Sequence, residues 1–480
     1  MEEYIVIDIG TSSLRVLVMD QTLQTVEQQV KKYNISETFD AELLWENICS
    51  MCLSLRVEPS KIRAIGVSAL LGWVGVNRQG QAVTPCYTYM HQCPNQFIQA
   101  EPILKQINVY NITGRLPNPE LAVYKLMQLQ QHPALYQEIA CLVSLKDFIN
   151  QKLTHVLATD RTSACYTMLY DIRKKQWSQE LISALGIDSN KLPPLCEPSD
   201  VLAPLNNSVA SQLHLPQGIT VVVGSVDGST GVLGAGGIEP GTMVSVMGTT
   251  DTSFFVAHKD LLDSTKALVM NPHVVGDRWL LGGPMGMYGG TVEWLITHIM
   301  QGKTTLDELK CLAKDVPRGS NGVTFIPTLA GERAPYWIPQ MRGTILGMKP
   351  THGPGELFRA ILESNAFSLK RMTELIEMAG GKVECMISIG GGAKDNLWLQ
   401  IKAEVLGIPV LRTGIQEATA CGTCMLAMLA NGKHEKDLPR PCQLQAFEGS
   451  DAAVKEYHSF YTVYQQMHEE IHSIYKNLSV

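Results

Sequence analysis

The sequence predicts an α/β fold in two domains with partly parallel sheets, and three observations carry that expectation. Strand-like apolar runs alternate with helical patterns throughout the chain. The 480 residues exceed what one hydrophobic core usually organises. Two apolar runs, one in each half, break into the same kind of turn: residues 4–9 into Gly10-Thr11-Ser12-Ser13, and residues 242–247 into Gly248-Thr249-Thr250. That repetition points to an internal duplication.

The elements follow in chain order. Tyr4-Ile5-Val6-Ile7-Asp8-Ile9 suits a buried strand, with one acid inside it. The stretch Ala41 to Cys52 has helical spacing and places Cys49 and Cys52 on one face, and residues 61–70 read as the strand that follows this crossover. Asp160 to Trp177 is polar and turn-rich, and Leu192-Pro193-Pro194-Leu195 reads as a rigid connector. From Thr220 onward the chain turns apolar and glycine-rich, which places the domain boundary near Gly237 to Gly241. Ala418 to Ala427 reads as a small-residue helix holding Cys421 and Cys424. At the C-terminus Tyr457, Phe460, Tyr461, Tyr464, Met467, Ile471 and Ile474 recur at helical spacing; core packing is the first reading and a homodimer contact the second.

Composition narrows the function. The formal net charge is −7, with no basic run of the length nucleic acid binding requires. No apolar run approaches membrane-spanning length, and the N-terminal apolar stretch is short, interrupted by Asp8 and preceded by Glu2 and Glu3, unlike a signal peptide. A cytoplasmic protein is expected. Twelve cysteines are too sparse for a disulfide scaffold. The two Cys-x-x-Cys pairs could together be read as a split zinc site, but helical packing explains each pair more simply. Gly302-Lys303-Thr304 resembles the end of a Walker loop, with Thr297 where its first glycine would be, and no Gly-x-Gly-x-x-Gly follows a strand.

Four stretches could carry chemistry. Gly10 can take positive φ and bring backbone N–H groups to an anion, while Thr11, Ser12 and Ser13 add donors. Asp8 beside such a site is tolerable mainly if a divalent cation separates it from phosphate oxygens; the structural alternative is an ordinary turn with Asp8 capping locally. Gly248 and Thr249 repeat the turn without the acid. Asp227 follows a strand and a Gly-rich bend, where it can cap the helix from Ser229 onward and can also accept a proton from an alcohol attacking a phosphoryl group. Gly390, Gly391 and Gly392 remove every side chain at one point, so that a flat ring such as adenine could lie on the backbone, a tight structural turn being the alternative.

Together these pieces resemble the FGGY carbohydrate kinases, members of the actin-like ATPase superfamily with two ribonuclease-H-like domains and a cleft between them. The most specific match is Gly343-Thr344-Ile345-Leu346-Gly347-Met348, then seven residues, then Glu356-Leu357-Phe358-Arg359-Ala360-Ile361-Leu362-Glu363. Gly331-Glu332-Arg333-Ala334-Pro335-Tyr336-Trp337 and Lys146-Asp147-Phe148 are also similar. The resemblance implies an N-terminal domain over residues 1–239 with the sugar site and first phosphate loop. It implies a C-terminal domain over 240–480 with the adenosine site, second phosphate loop and C-terminal helix.

By that resemblance Asp227 is the catalytic base and Asp8 the acid near Mg2+. Gly10 to Ser13 and Gly248-Thr249 hold the phosphates of ATP, and Gly390 to Gly392 with Asn396 form the adenosine region. The sugar site departs from the pattern. Leu70 and Leu71 stand where xylulose and gluconate kinases of the family carry Met-His, and His91 stands near a usual acid. The expected activity is ATP-dependent phosphorylation of a small sugar, with a ketopentose such as xylulose first and gluconate or another polyol or sugar acid as the alternative. A nucleotide-binding sensor that has lost catalysis is the alternative of another class.

Overall fold

The computed structural model describes residues 2–477. The chain divides into two compact units. Unit 1 comprises residues 1–236, 271–278 and 417–441, and unit 2 comprises residues 237–270, 279–416 and 442–480. Two segments of the second half thus belong to the first unit.

In unit 1 the sheet runs in the order Val201–Pro204, Thr220–Val222, Ile62–Ala69, Glu3–Ile9, Ser13–Asp20, Thr25–Lys32. Glu3–Ile9 and Thr220–Val222 are parallel to Ile62–Ala69, and the other pairs are antiparallel. Glu3–Ile9 is buried at every position, as a central strand covered on both faces should be. Unit 2 repeats this order with Gln443–Phe447, Val410–Thr413, Cys385–Ile389, Thr242–Met247, Asp251–Ala257 and Trp279–Pro284. The parallel and antiparallel pairs fall in the same places. The duplication legible in two turns therefore extends through six strands of each sheet, to which the second adds Val269–Pro272 beside Trp279–Pro284.

Glycines set the closest contact between helices of unit 1. Helix Asp227–Gly234 packs on Ala418–Ala430 so tightly that a Cβ on Gly234 would lie 1.8 Å from the Ala418 carbonyl oxygen, and one on Gly422 would lie 1.9 Å from that of Thr230. Small residues here answer the need for close approach, and Cys421 and Cys424 are buried in the same helix. Cys49 and Cys52 are buried in helix Ala41–Leu53, where burial pushes their thiols up to about 11 and about 12.

The segment expected to be polar and turn-rich does hold turns, at 166–168 and 172–175, but it is mostly buried and also carries strand Thr159–Asp160 and helix Arg161–Cys165. The partners of its buried acid come from within the segment and from beyond it. Lys146, 1 % exposed, pairs with Asp147 and with Asp160 at 3.1 Å. Asp160 also accepts bonds from the backbone N–H groups of Thr162 and Ser163 and from the hydroxyls of Thr162, Ser163 and Ser225. Burial opposes the ionisation of Asp160, but Lys146 and these hydroxyls outweigh it and hold the carboxyl below its ordinary pKa.

In unit 2 the C-terminal helix Asp451–Asn477 buries Tyr457, Tyr461 and Tyr464, which pack around Phe367, while Ile474 is exposed. No helix among the described residues is long and apolar enough to cross a membrane.

Candidate active site

Asp8 is positioned by strand register. It lies opposite Arg15 on one neighbouring strand and Ser68 on the other. Cross-strand neighbours sit about 4.5–5.5 Å apart at Cβ, close enough for side chains to meet. The Ser68 hydroxyl donates to Asp8 Oδ1 at 3.2 Å, and an Arg15 guanidinium nitrogen lies 3.6 Å from Oδ2. Arg15 is shared with Glu417 at 3.5 Å, so it does not neutralise Asp8 alone. Burial pushes the Asp8 carboxyl up to about 6, opposed by Arg15 and Ser68 and assisted by the charge of Glu417.

The first turn joins two antiparallel strands. It therefore offers backbone and hydroxyl donors without a helix N-terminus behind them. The Gly10 N–H is closed onto the Ser13 carbonyl at 3.0 Å, and the Tyr33 hydroxyl donates to the Gly10 carbonyl at 2.8 Å. Neither Gly10 nor Gly248 adopts positive φ. What glycine provides at these two turns is an uncovered backbone rather than a left-handed one. Thr11 and Ser12 are exposed, whereas Ser13 is buried at the start of its strand. Ser12, Ser13, Arg15, Lys32, Tyr33 and Asn34 line a depression of about 480 Å3, with two cations and the two serine hydroxyls suited to an anion.

Asp227 stands near the carboxyl end of the same sheet. Val226 pairs with Ala69, and Ala69 pairs with Ile9, so Asp8 and Asp227 flank the end of strand Ile62–Ala69. Asp227 is the first residue of its helix rather than the cap, which is Val226. Its Oδ1 accepts the Gly228 N–H at 2.7 Å. Burial first, and then the negative charge of Asp8, push its carboxyl up to about 7, against that one bond. A base with this pKa is half ionised near neutrality, where it can both take and release a proton.

The residues expected at the sugar site are distributed unevenly. Leu70 is 2 % exposed within the hydrophobic core, and its N–H is bonded to the Ile9 carbonyl, so its side chain has no free surface for a ligand. Leu70 continues the buried end of the strand, while Leu71, in the bend that follows, is half-buried. His91 is half-buried beside Tyr87, with Nε2 3.2 Å from Gln128 Oε1 and Nδ1 3.8 Å from Glu37. Beneath it Lys125, fully buried, donates to the carbonyls of His91 and Glu120, and burial pushes its ammonium down to about 8.

In unit 2 the second turn, Gly248 to Thr250, again joins antiparallel strands, with Gly248 and Thr249 exposed. The three glycines of the fourth stretch serve three purposes. Gly390 has φ +91°, and a Cβ there would meet the Met247 carbonyl oxygen at 2.7 Å. Gly392 leaves room for Met247 and Trp398, 2.9 and 3.2 Å from where its Cβ would be. Gly391 is exposed, with nothing closer than 4.0 Å, and forms the open backbone surface. Asp395 caps helix Asn396–Leu406, and the Asn396 side-chain oxygen already accepts from Arg412 at 2.7 Å.

Residues 3–234 match the N-terminal domain, and residues 243–431 the C-terminal domain, of the FGGY family of carbohydrate kinases. The chain belongs to the FGGY family of carbohydrate kinases. It is 27 % identical to the xylulose kinase of Escherichia coli strain K12 over 99 % of both chains. It is 24 % identical to the gluconokinase of Bacillus subtilis strain 168 over 89 % of this chain and 87 % of that one. The crystal structure of ligand-bound xylulose kinase from Lactobacillus acidophilus has the same fold, with a TM-score of 0.92 at 22 % identity over the full length of both chains. FGGY kinases are phosphotransferases acting on sugar hydroxyl groups with ATP.

Arg15, Lys32, Tyr33, Ser68 and Glu417 are the residues around the unit 1 loop that the motifs do not announce. Arg15 has a signal in retrospect, being the one charged residue inside an otherwise buried run from Ser13 to Met19. Glu417 has none, because the return of residues 417–441 to unit 1 is invisible in the chain order.

Proposed function

We propose that the protein transfers the terminal phosphoryl group of ATP to a hydroxyl of a small sugar, a ketopentose such as xylulose being the acceptor, with Asp227 as general base. The observation that supports this reading most is the pair of carboxylates, Asp8 and Asp227, flanking one strand end beside an open cationic turn, both held above the ordinary carboxylate range. In this reading residues 1–239 carry the sugar site and first phosphate loop, and residues 240–480 the adenosine site and second loop.

The residues fit magnesium and ATP. Among the described residues no group of three or more His, Cys, Asp and Glu could hold a metal ion. Mg2+ suits that, since it takes one or two carboxylates and completes its octahedron with phosphate oxygens and water. Asp8 would supply the carboxylate, Gly10 to Ser13 with Gly248 and Thr249 the phosphate donors, and Gly390 to Gly392 with Asn396 the adenosine surface. Bound there, Mg2+ and ATP supply the transferable group and neutralise its charge. Asp227 takes the proton from the attacking hydroxyl at its carboxylate, and Arg15 adds fixed positive charge beside the turn.

The sign of the pH dependence follows. A base must be ionised, so kcat/KM for the sugar should rise with pH through an apparent pKa near 7, the value burial and Asp8 impose on Asp227. An acid limb near pH 4, the ordinary carboxylate value, would remove Asp227 from this role.

Gluconate is the second reading, favoured by the gluconokinase relative. With Leu70 in the core, discrimination rests on Leu71 and His91. In an ADP-release assay over ketopentoses, tetroses, polyols and aldonates, xylulose should exceed gluconate in kcat/KM. His91→Ala should raise the sugar KM by roughly 10-fold, as loss of a partly buried hydrogen bond does, without changing the KM for ATP. Preference for gluconate would place Leu71 outside the acceptor pocket, and no turnover with any sugar would favour the sensor.

A further inference from the structure

The two loops of unit 2 assigned to the nucleotide are joined by a buried chain of side chains that neither loop's sequence discloses. Asp251 lies directly opposite Met247 at the base of the Gly248 to Thr250 turn. Its backbone is held on the other side, its N–H donating to the Gly286 carbonyl and its own carbonyl accepting from Met285. Asp251 Oδ2 accepts from Asn365 Nδ2 at 3.0 Å, and Asn365 Oδ1 accepts from the Trp398 indole N–H at 2.9 Å. The Trp398 ring packs against Gly392, and its backbone N–H is one of those capped by Asp395. Asp251 and Asn365 have no exposed surface and Trp398 has 4 %.

The chemistry of the three groups fixes the orientation of the middle one. An indole N–H only donates and a carboxylate only accepts, so Asn365 must turn its oxygen to Trp398 and its nitrogen to Asp251. A rotated amide would set donor against donor and acceptor against acceptor inside the core, where an unmade bond costs most. The second Asp251 oxygen is buried without a hydrogen-bond partner. Burial pushes the Asp251 carboxyl up to about 7, and Lys402, fully buried and bonded to Ser245 at 3.0 Å, opposes that rise with its positive charge. Such an arrangement has one orientation that pairs Asn365 at both ends, and displacement at either end is felt at the other.

We infer that Asp251, Asn365 and Trp398 are positioning residues forming a relay that couples the triphosphate turn at Gly248–Thr249 to the adenosine turn at Gly390–Gly392. The inference rests on the nucleotide assignment of those turns given above. Binding of the phosphate portion then orders the surface on which the adenine lies, and the reverse holds by linkage.

The test separates the two portions, with magnesium tripolyphosphate and adenosine as the probes, titrated calorimetrically alone and together on the full chain. In wild type each should raise the affinity for the other by about 10-fold, within the usual range of coupling between sites. Asn365→Leu should bring that factor close to one while each probe alone still binds. Trp398→Phe, which keeps an aromatic ring beside Gly392 but loses the N–H donor, should do the same and serves if the first variant does not fold. In 15N-labelled protein the indole resonance missing from Trp398→Phe identifies Trp398, and in wild type it should move with tripolyphosphate alone. Independent binding in wild type, an unmoved indole resonance, or full coupling in either folded variant would overturn the relay while leaving the nucleotide site standing. Failure of both probes to bind wild type would overturn the nucleotide assignment, and the relay with it.

Discussion

Asp227→Asn is expected to lower kcat by about two to four orders of magnitude, the worth of a positioned general base, with the affinity for ATP near wild type. The amide keeps the acceptor for the Gly228 N–H and loses only the capacity to take a proton. The same substitution should stabilise the free protein above neutrality. The folded carboxyl has a pKa of about 7 against 3.8 for the ordinary group, so the folded state binds the extra proton between these values. Its stabilising contribution is present at low pH and is lost as pH rises through 7. At pH 8 the variant should therefore melt higher than wild type, by roughly 2–4 °C for each kcal/mol recovered, and the gap should close toward pH 5. Steady-state kinetics and melting curves at both pH values check the pair of effects. Full activity in a folded variant would leave Asp227 with a structural role alone.

Lys146→Met should destabilise the protein by about 3–5 kcal/mol, because it strands Asp147 and Asp160 as buried carboxylates without their cation. On a domain of this size that lowers Tm by roughly 10 °C. The loss should reach activity as well. Ser225, bonded to Asp160 at 3.2 Å, precedes Asp227 by two residues, so the network holds the strand end that presents Asp227, the proposed base. Lys174→Met is the control. That side chain is 68 % exposed and pairs with Asp171 at 3.6 Å, an arrangement worth at most about 1 kcal/mol. Equal melting of the two variants in a thermal scan would show that the buried triad is not what supports this region.

Much of the site could be read from local sequence because its parts are local. A strand running into a Gly-hydroxyl turn is specified within about ten residues, and both such turns lie where their patterns placed them, as do Asp8 and Asp227 near strand ends. The reasons attached to single residues fared less evenly. Gly10 is needed for bare backbone and not for positive φ, while Gly390 does need it. Asp227 follows the capping position instead of occupying it. Leu70 and Leu71 are adjacent in sequence, yet one is core and the other half-buried, since Leu70 continues the buried strand end and Leu71 lies in the bend before the next strand. Asp160, within a stretch that is polar by composition, is buried because partners 14 and 65 residues away satisfy it.

The sequence by itself determined the fold class, the duplicated strand-turn units and the family signature, all of which depend on periodicity and residue type over short spans. Tertiary structure decided the rest. It brought Ser68 and Arg15 to Asp8 through strand register, and it returned residues 417–441 to unit 1 to place Glu417 beside Arg15. It also raised the two carboxylates above their ordinary range, because desolvation and the field of neighbouring charges exist only once distant segments have closed around them.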